Sequence, residues 1–190
     1  GGTLVAWAPS ALAVTTSASG AEYTLTAQKD AAAQDLIYQP QPVNAANAGA
    51  VAVEMKHAYS KLSFLATAGN GYTGAANLTQ VQITGGIYAT GTLDMVAGTV
   101  DPAGTATGAL TLAAGEKALV VPMAANPTLA VTCTIDGEEF TTSITADTMP
   151  SLLAGVEYEI TLTVIGQEAV ISSVKEVPWT TTEVNGGTIY

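Results

Sequence analysis

The stretch VEYEITLTV (156–164) decides the fold. Val156, Tyr158, Ile160, Leu162 and Val164 fall on one side of an extended chain, and Glu157, Glu159, Thr161 and Thr163 fall on the other. A period of two belongs to a β-strand, so this segment reads as a strand with one buried and one wet face. TLAVTCTIDGEEFTTSIT (128–145) repeats the pattern as a hairpin. Leu129, Val131, Cys133 and Ile135 alternate with Ala and Thr, and Phe140 and Ile144 return to the same face. Between them Asp136-Gly137 supplies the positive-φ positions of a tight turn.

Working outward, the same reading predicts short strands at 4–8, 23–27, 36–39, 51–57, 62–68, 78–84, 92–96, 109–112, 118–123, 169–174 and 180–184. Gly, Pro, Asn and Asp separate them, as in TAGNGYTGAANL and VDPAGTATG. Only TAQKDAAAQDL (26–36) has helical composition, enough for one or two turns. No segment of helical period is long enough to cross over between parallel strands. The expected fold is all-β: an antiparallel Greek-key β-sandwich, immunoglobulin- or transthyretin-like, with extra strands at the N-terminus. YQPQPVNAANAGA (38–50) reads as a connector. Residues 1–48 are thus expected to be N-terminal strands and connector, either the remnant of a separate domain or part of the main sheet. Residues 49–190 form the sandwich and a C-terminal tail strand.

The apolar fraction of 48% in 190 residues is enough for a real core, but the charged fraction of 11% is unusually low. Soluble domains carry roughly 25%. Asp and Glu number 16 against 5 basic residues, all lysine, for a net charge of −11. Phosphate backbones demand clustered cations, so nucleic acid is excluded as a partner, and anionic membrane surfaces are disfavoured. Cys133 stands alone, which leaves neither a disulfide framework nor a multi-cysteine metal site. No run approaches 18 apolar residues. The opening GGTLVAWAP lacks the basic and apolar regions of a signal peptide, so the protein is either cytosolic or already relieved of its targeting segment.

Candidate chemistry is sparse. VEMKHAYSKLSFLATAG (53–69) holds the single histidine beside Tyr59, Ser60 and two lysines. His57 continues the apolar face of Val51, Val53 and Met55, so it is expected to be a partly buried side chain hydrogen-bonded to backbone. No Ser/His/Asp order or nucleophile elbow accompanies it. Ser60-Lys61 reads as ordinary turn and edge residues, which makes KHAYSK the turn between two strands. Cys133 is expected to be a buried structural thiol. Asp136, Glu138 and Glu139 gather at a hairpin tip, where a solvated turn is the expectation and a weak calcium site the alternative. The glycines of ITGG and TAGNG lack the strand-loop-helix setting of a phosphate loop. No catalytic, metal-binding or cofactor-binding residues are expected, and the chain does not read as an enzyme.

Several landmarks occur in order: AWAP (6–9), QDLIY (34–38), VEMKHAYSKLSF (53–64), ALVVPM (118–123), LLAGVEYEITLTV (152–164) and VKEVPWT with Trp179. In this order the chain resembles a fimbrillin-like protein, of the type V pilin family of Bacteroidales surface fimbriae. The resemblance implies an exported protein, its leader removed, in a surface fimbria attached to the outer membrane. It also implies that an N-terminal strand is cleaved away and that a strand from the next subunit's C-terminal end fills the groove left behind. The partners implied are other copies of the chain, with anchor and tip subunits. The donor here would be the tail TTTEVNGGTIY (180–190), apolar at Val184, Ile189 and Tyr190. The alternative is a non-polymerising tip adhesin or anchor protein that binds host protein or glycan. DTM (147–149) resembles a short O-glycan acceptor motif, with Thr148 as acceptor. The chain departs from the family in being short for a two-domain shaft pilin and in lacking a lipidation cysteine at its start. Both departures fit a processed chain, a truncated piece or a compact relative.

Overall fold

A computed structural model describes residues 1–18, 20–46, 51–125 and 128–179. Their regular structure is β throughout, in four sheets, none closed into a barrel.

Two sheets make the main sandwich. β4 (Gln28–Lys29), β7 (Ser60–Ala68), β12 (Ala118–Val120), β15 (Val156–Ile165) and β16 (Glu168–Pro178) form one, in the spatial order β16-β15-β7-β12-β4. β8 (Leu78–Ile87), β11 (Gly108–Ala113), β13 (Leu129–Ile135) and β14 (Glu138–Ile144) form the other, in the order β11-β8-β13-β14. The alternation at 156–164 is realised: Tyr158, Ile160, Leu162 and Val164 are buried in the main core, beside Leu62 and Val131. The predicted hairpin pairs Leu129 with Ile144 and Cys133 with Phe140. At its tip Asp136 (φ 52°) and Gly137 (φ 87°) both sit in the left-handed region, as a two-residue turn demands.

One pairing departs from the antiparallel expectation. β7 and β15 run parallel, from Glu157 beside Lys61 to Val164 beside Ala68. Parallel neighbours need a long crossover, which is usually a helix. Here the crossover is the chain that builds the opposite sheet, so the lack of helices did not forbid it.

A second pair of sheets lies toward the N-terminal strands. β1 (Gly2–Ala8), β5 (Ile37–Val43) and β6 (Lys56–His57) form one. β2 (Thr15–Ser17), β3 (Gly20–Thr26), β9 (Thr90–Asp94) and β10 (Thr99–Ala103) form the other, in the order β10-β9-β3-β2. The N-terminal strands thus share a sheet with a hairpin from the middle of the chain. Around Leu25, Leu36, Tyr38, Tyr59 and Leu93 the two sheets enclose a second core. β12 joins the two cores. Its Ala118 and Val120 belong to the main one, while Leu119 and the following Val121 belong to the second. This explains why ALVV is a continuous apolar run rather than an alternating one.

The strand expected at 51–57 shrinks to Lys56–His57. Its partner would be β5, but Pro40 and Pro42 lack donors on a common edge of that strand, and the pairing ends at Tyr38 with Lys56. The helical turns expected at 26–36 are replaced by β4 and one turn, in which the Gln34 N–H donates to the Ala31 carbonyl at 2.8 Å. Tertiary pairing overrides propensity there, since β4 is held against β12 through Lys29 beside Ala118. The strand expected at 118–123 stops at Val120. Pro122 follows, and Met123 makes only an isolated bridge to Leu152. The strand expected at 180–184 lies outside the described residues.

Candidate functional site

The segment KHAYSK does connect two strands, since Ala58 and Tyr59 bridge β6 and β7. Its side chains are not those of an ordinary turn. His57, Ser60 and Lys61 are all buried. The Ser60 hydroxyl donates to the Leu153 carbonyl at 2.8 Å. The Lys61 ammonium pairs with the Asp30 carboxylate at 2.7 Å and lies 3.8 Å from the centroid of the Trp179 ring. His57 corrects the expectation of a bond to backbone. Its ring stacks on Trp179 with centroids 3.6 Å apart and planes inclined by 12°. Its Nδ1 lies 2.8 Å from Asp35 Oδ2 but off the line a hydrogen bond needs.

Trp179 therefore sits between the Lys61–Asp30 ion pair and the His57–Asp35 contact. Behind it Glu157 accepts hydrogen bonds from Lys117 Nζ at 2.7 Å and Ser63 Oγ at 2.9 Å. Burial pushes the Glu157 carboxyl up, but these bonds and the charges of Lys117 and Lys61 prevail and hold it below the usual carboxylate range. The sequence offered no sign of this junction, because its members come from 30, 35, 57, 61 and 179. These groups position Trp179; they carry no nucleophile with an activating base.

Beside the same core lies a slot of about 340 Å³. Thr3, Val5 and Trp7 of β1 line one side, and Thr16 and Ser17 of β2 line the other. Among the described residues β1 and β2 are each the outermost strand of their sheet, the position at which a sheet can be extended. Val5 and Trp7 pack against the core that Trp179 also covers.

The other sequence candidates are placed as follows. Cys133 is buried, and burial pushes its thiol up to about 11. Asp136 is not freely solvated. Its carboxylate accepts the Tyr72 hydroxyl at 2.6 Å and the backbone N–H groups of Ala76 at 2.9 Å and Asn77 at 3.0 Å. These bonds hold it below its usual range, and the Tyr72 phenol is pushed up to about 12. Thr148 is exposed in the turn between β14 and β15, where its N–H donates to the Thr145 carbonyl at 3.0 Å and the adjacent Met149 is buried. Val184, Ile189 and Tyr190 lie outside the described residues.

Comparison with known proteins places the chain in context. The sequence model of a family described as fimbrillin-like matches residues 2–179. No curated protein matches the chain. A candidate cell adhesion protein from Bacteroides uniformis has a crystal structure similar to this one, with TM-score 0.73 and 23% identity, over 94% of this chain and 73% of that one. A candidate cell adhesion protein from Bacteroides ovatus is similar with TM-score 0.68 and 17% identity, over 95% and 69%. A fimbrial protein from Bacteroides vulgatus gives TM-score 0.51 and 12% identity, over 93% and 77%. At these identities the likeness is one of fold.

Proposed function

The chain belongs to the fimbrillin-like family, and from that premise we propose that it is a structural fimbrial subunit that polymerises head-to-tail by donor-strand exchange. The fibre it builds is a surface adhesion fimbria, attached to the outer membrane after export and removal of a leader. Its partners are other copies of itself, closed off by anchor and tip subunits.

The observation that carries this reading is the slot between β1 and β2. It lies between the outermost strands of two sheets, with Val5, Trp7 and Val96 among its lining, which suits an incoming strand. Main-chain hydrogen bonds would complete the edges, and alternate apolar side chains would fill the cavity. The tail 180–190 follows Trp179, and eleven extended residues reach roughly 36 Å. Val184, Ile189 and Tyr190 are its apolar plugs. A tail that leaves one molecule and enters the next makes a heterologous contact that does not close, and such contacts generate fibres. Thr148, exposed beside a buried anchor, is accessible as an O-glycan acceptor on the finished fibre.

Deletion of 180–190 tests the reading. Electron microscopy of the surface fraction is expected to show no fibres, with the protein recovered as a folded monomer. Fibres of unchanged length and number would overturn it and favour the rival, a tip adhesin or anchor protein whose slot is closed by its own tail.

A further inference from the structure

The sheet β11-β8-β13-β14 buries one face in the main core and turns the other outward. β8, β11 and β13 contain no charged residue, in a chain of net charge −11. Thr111, Gln82, Thr132 and Thr141 stand side by side across its four strands. Beside that row stand Ala113, Gln80, Thr134 and, at the edge, Glu139.

Several polar side chains of this sheet are already hydrogen-bonded within it. Thr79 Oγ1 donates to the Thr134 carbonyl at 3.2 Å, and Gln82 Nε2 donates to Gln80 Oε1 at 2.9 Å. The hydroxyls of Thr132 and Thr141 share a longer bond of 3.4 Å. Covering groups that are already bonded within the sheet costs less than covering free ones. The outer face of the five-stranded sheet differs, since its registers set Lys61 beside Glu157 and Glu159 beside Lys175. Two acidic copies repel each other by most approaches, and least where each presents little charge.

We propose that the outward face of β11-β8-β13-β14 is a lateral docking surface for a second copy of this chain, joining fimbriae side by side. The proposal rests on the polymer reading above. Strands spaced about 4.8 Å apart, with some six residues rising about 3.3 Å each, give a face of about 400 Å². That is half of the roughly 800 Å² per partner of a stable interface. Single molecules therefore stay apart. In a fibre the face recurs along its length, and many weak contacts act together.

Fibres recovered from cells expressing the unmodified chain, Thr132→Glu, or Thr111→Glu at the sheet edge test this by electron microscopy. The unmodified fibres are expected in bundles. Both variants are expected to give fibres of the same length that lie singly, while Thr161→Glu on the outer face of the opposite sheet keeps the bundles. Bundles that persist in Thr132→Glu and Thr111→Glu, or unmodified fibres that already lie singly, overturn the docking surface and leave the polymer reading intact. Absence of any fibre from the unmodified chain overturns both.

Discussion

The imidazole of His57 and the indole of Trp179 lie face to face, 3.6 Å between centroids, although 121 residues lie between them in the chain. This contact closes the second core over the Lys61–Asp30 ion pair and the His57–Asp35 contact.

Trp179→Ala removes that closure. Full truncation of a buried aromatic costs about 3–5 kcal/mol. Trp179 is only half-buried, and water entering after truncation would reach the ring nitrogens of His57, which are buried without a hydrogen-bond partner among the described residues. The expected loss is therefore nearer 2 kcal/mol, read from chemical denaturation.

Lys61 and Asp30 form the better aligned of the two pairs, with side-chain exposures of 10% and 23%. Lys61→Met leaves the Asp30 carboxylate without its cation and is expected to cost about 3 kcal/mol. The double variant Lys61→Met with Asp30→Leu is expected to recover most of that loss. A double-mutant cycle on unfolding free energies reads the difference.

Glu157 makes stability sensitive to acid. Its folded carboxyl is held below the usual range, so its contribution is fully present above the unfolded value of about 4.3 and is lost as pH falls through the lower folded value. Asp136, held down by Tyr72 and two backbone N–H groups, acts in the same direction. Stability measured from pH 6 down to 2 should fall less steeply for Glu157→Gln than for the unmodified chain.

Gly86 takes φ +86° where β8 meets β13. A Cβ there would run into the Thr128 carbonyl oxygen and come within 2.6 Å of the Leu129 Cα, both of them backbone. Gly86→Ala combines this clash with left-handed strain and is expected to cost about 3 kcal/mol or more, seen as a large drop in Tm.

Much of the sandwich was legible because its strands obey one rule. Where one face is buried and the other wet, as at 156–164, alternation appears in the sequence. The Asp136-Gly137 turn was legible for an equally local reason. Alternation misled at 51–57, where Val51, Val53 and Met55 keep the period but β5 offers prolines in place of donors. β2 and β4 were missed because strands of three and two residues show no period, and β10 because Asp101-Pro102 and the Gly104 after it read as a separating turn. The parallel pairing of β7 with β15 and the junction at Trp179 depend on which distant segments meet, and that leaves no local trace. Lys61 looks like an edge lysine until Asp30 is placed beside it. The slot was hidden in the same way: its lining comes from β1 and β2, each unremarkable alone.

The central claim is that the tail of one molecule occupies the slot of the next, and a site-directed crosslink tests it most directly. Ser17→Cys places a thiol in the slot and Ile189→Cys places one in the tail. Cys133, buried with its thiol pushed up to about 11, does not compete near neutral pH. Mild oxidation of cell-surface protein is predicted to give a ladder of covalent oligomers that collapses on reduction. A band at the monomer position alone, whether crosslinked within one chain or not at all, would contradict the account.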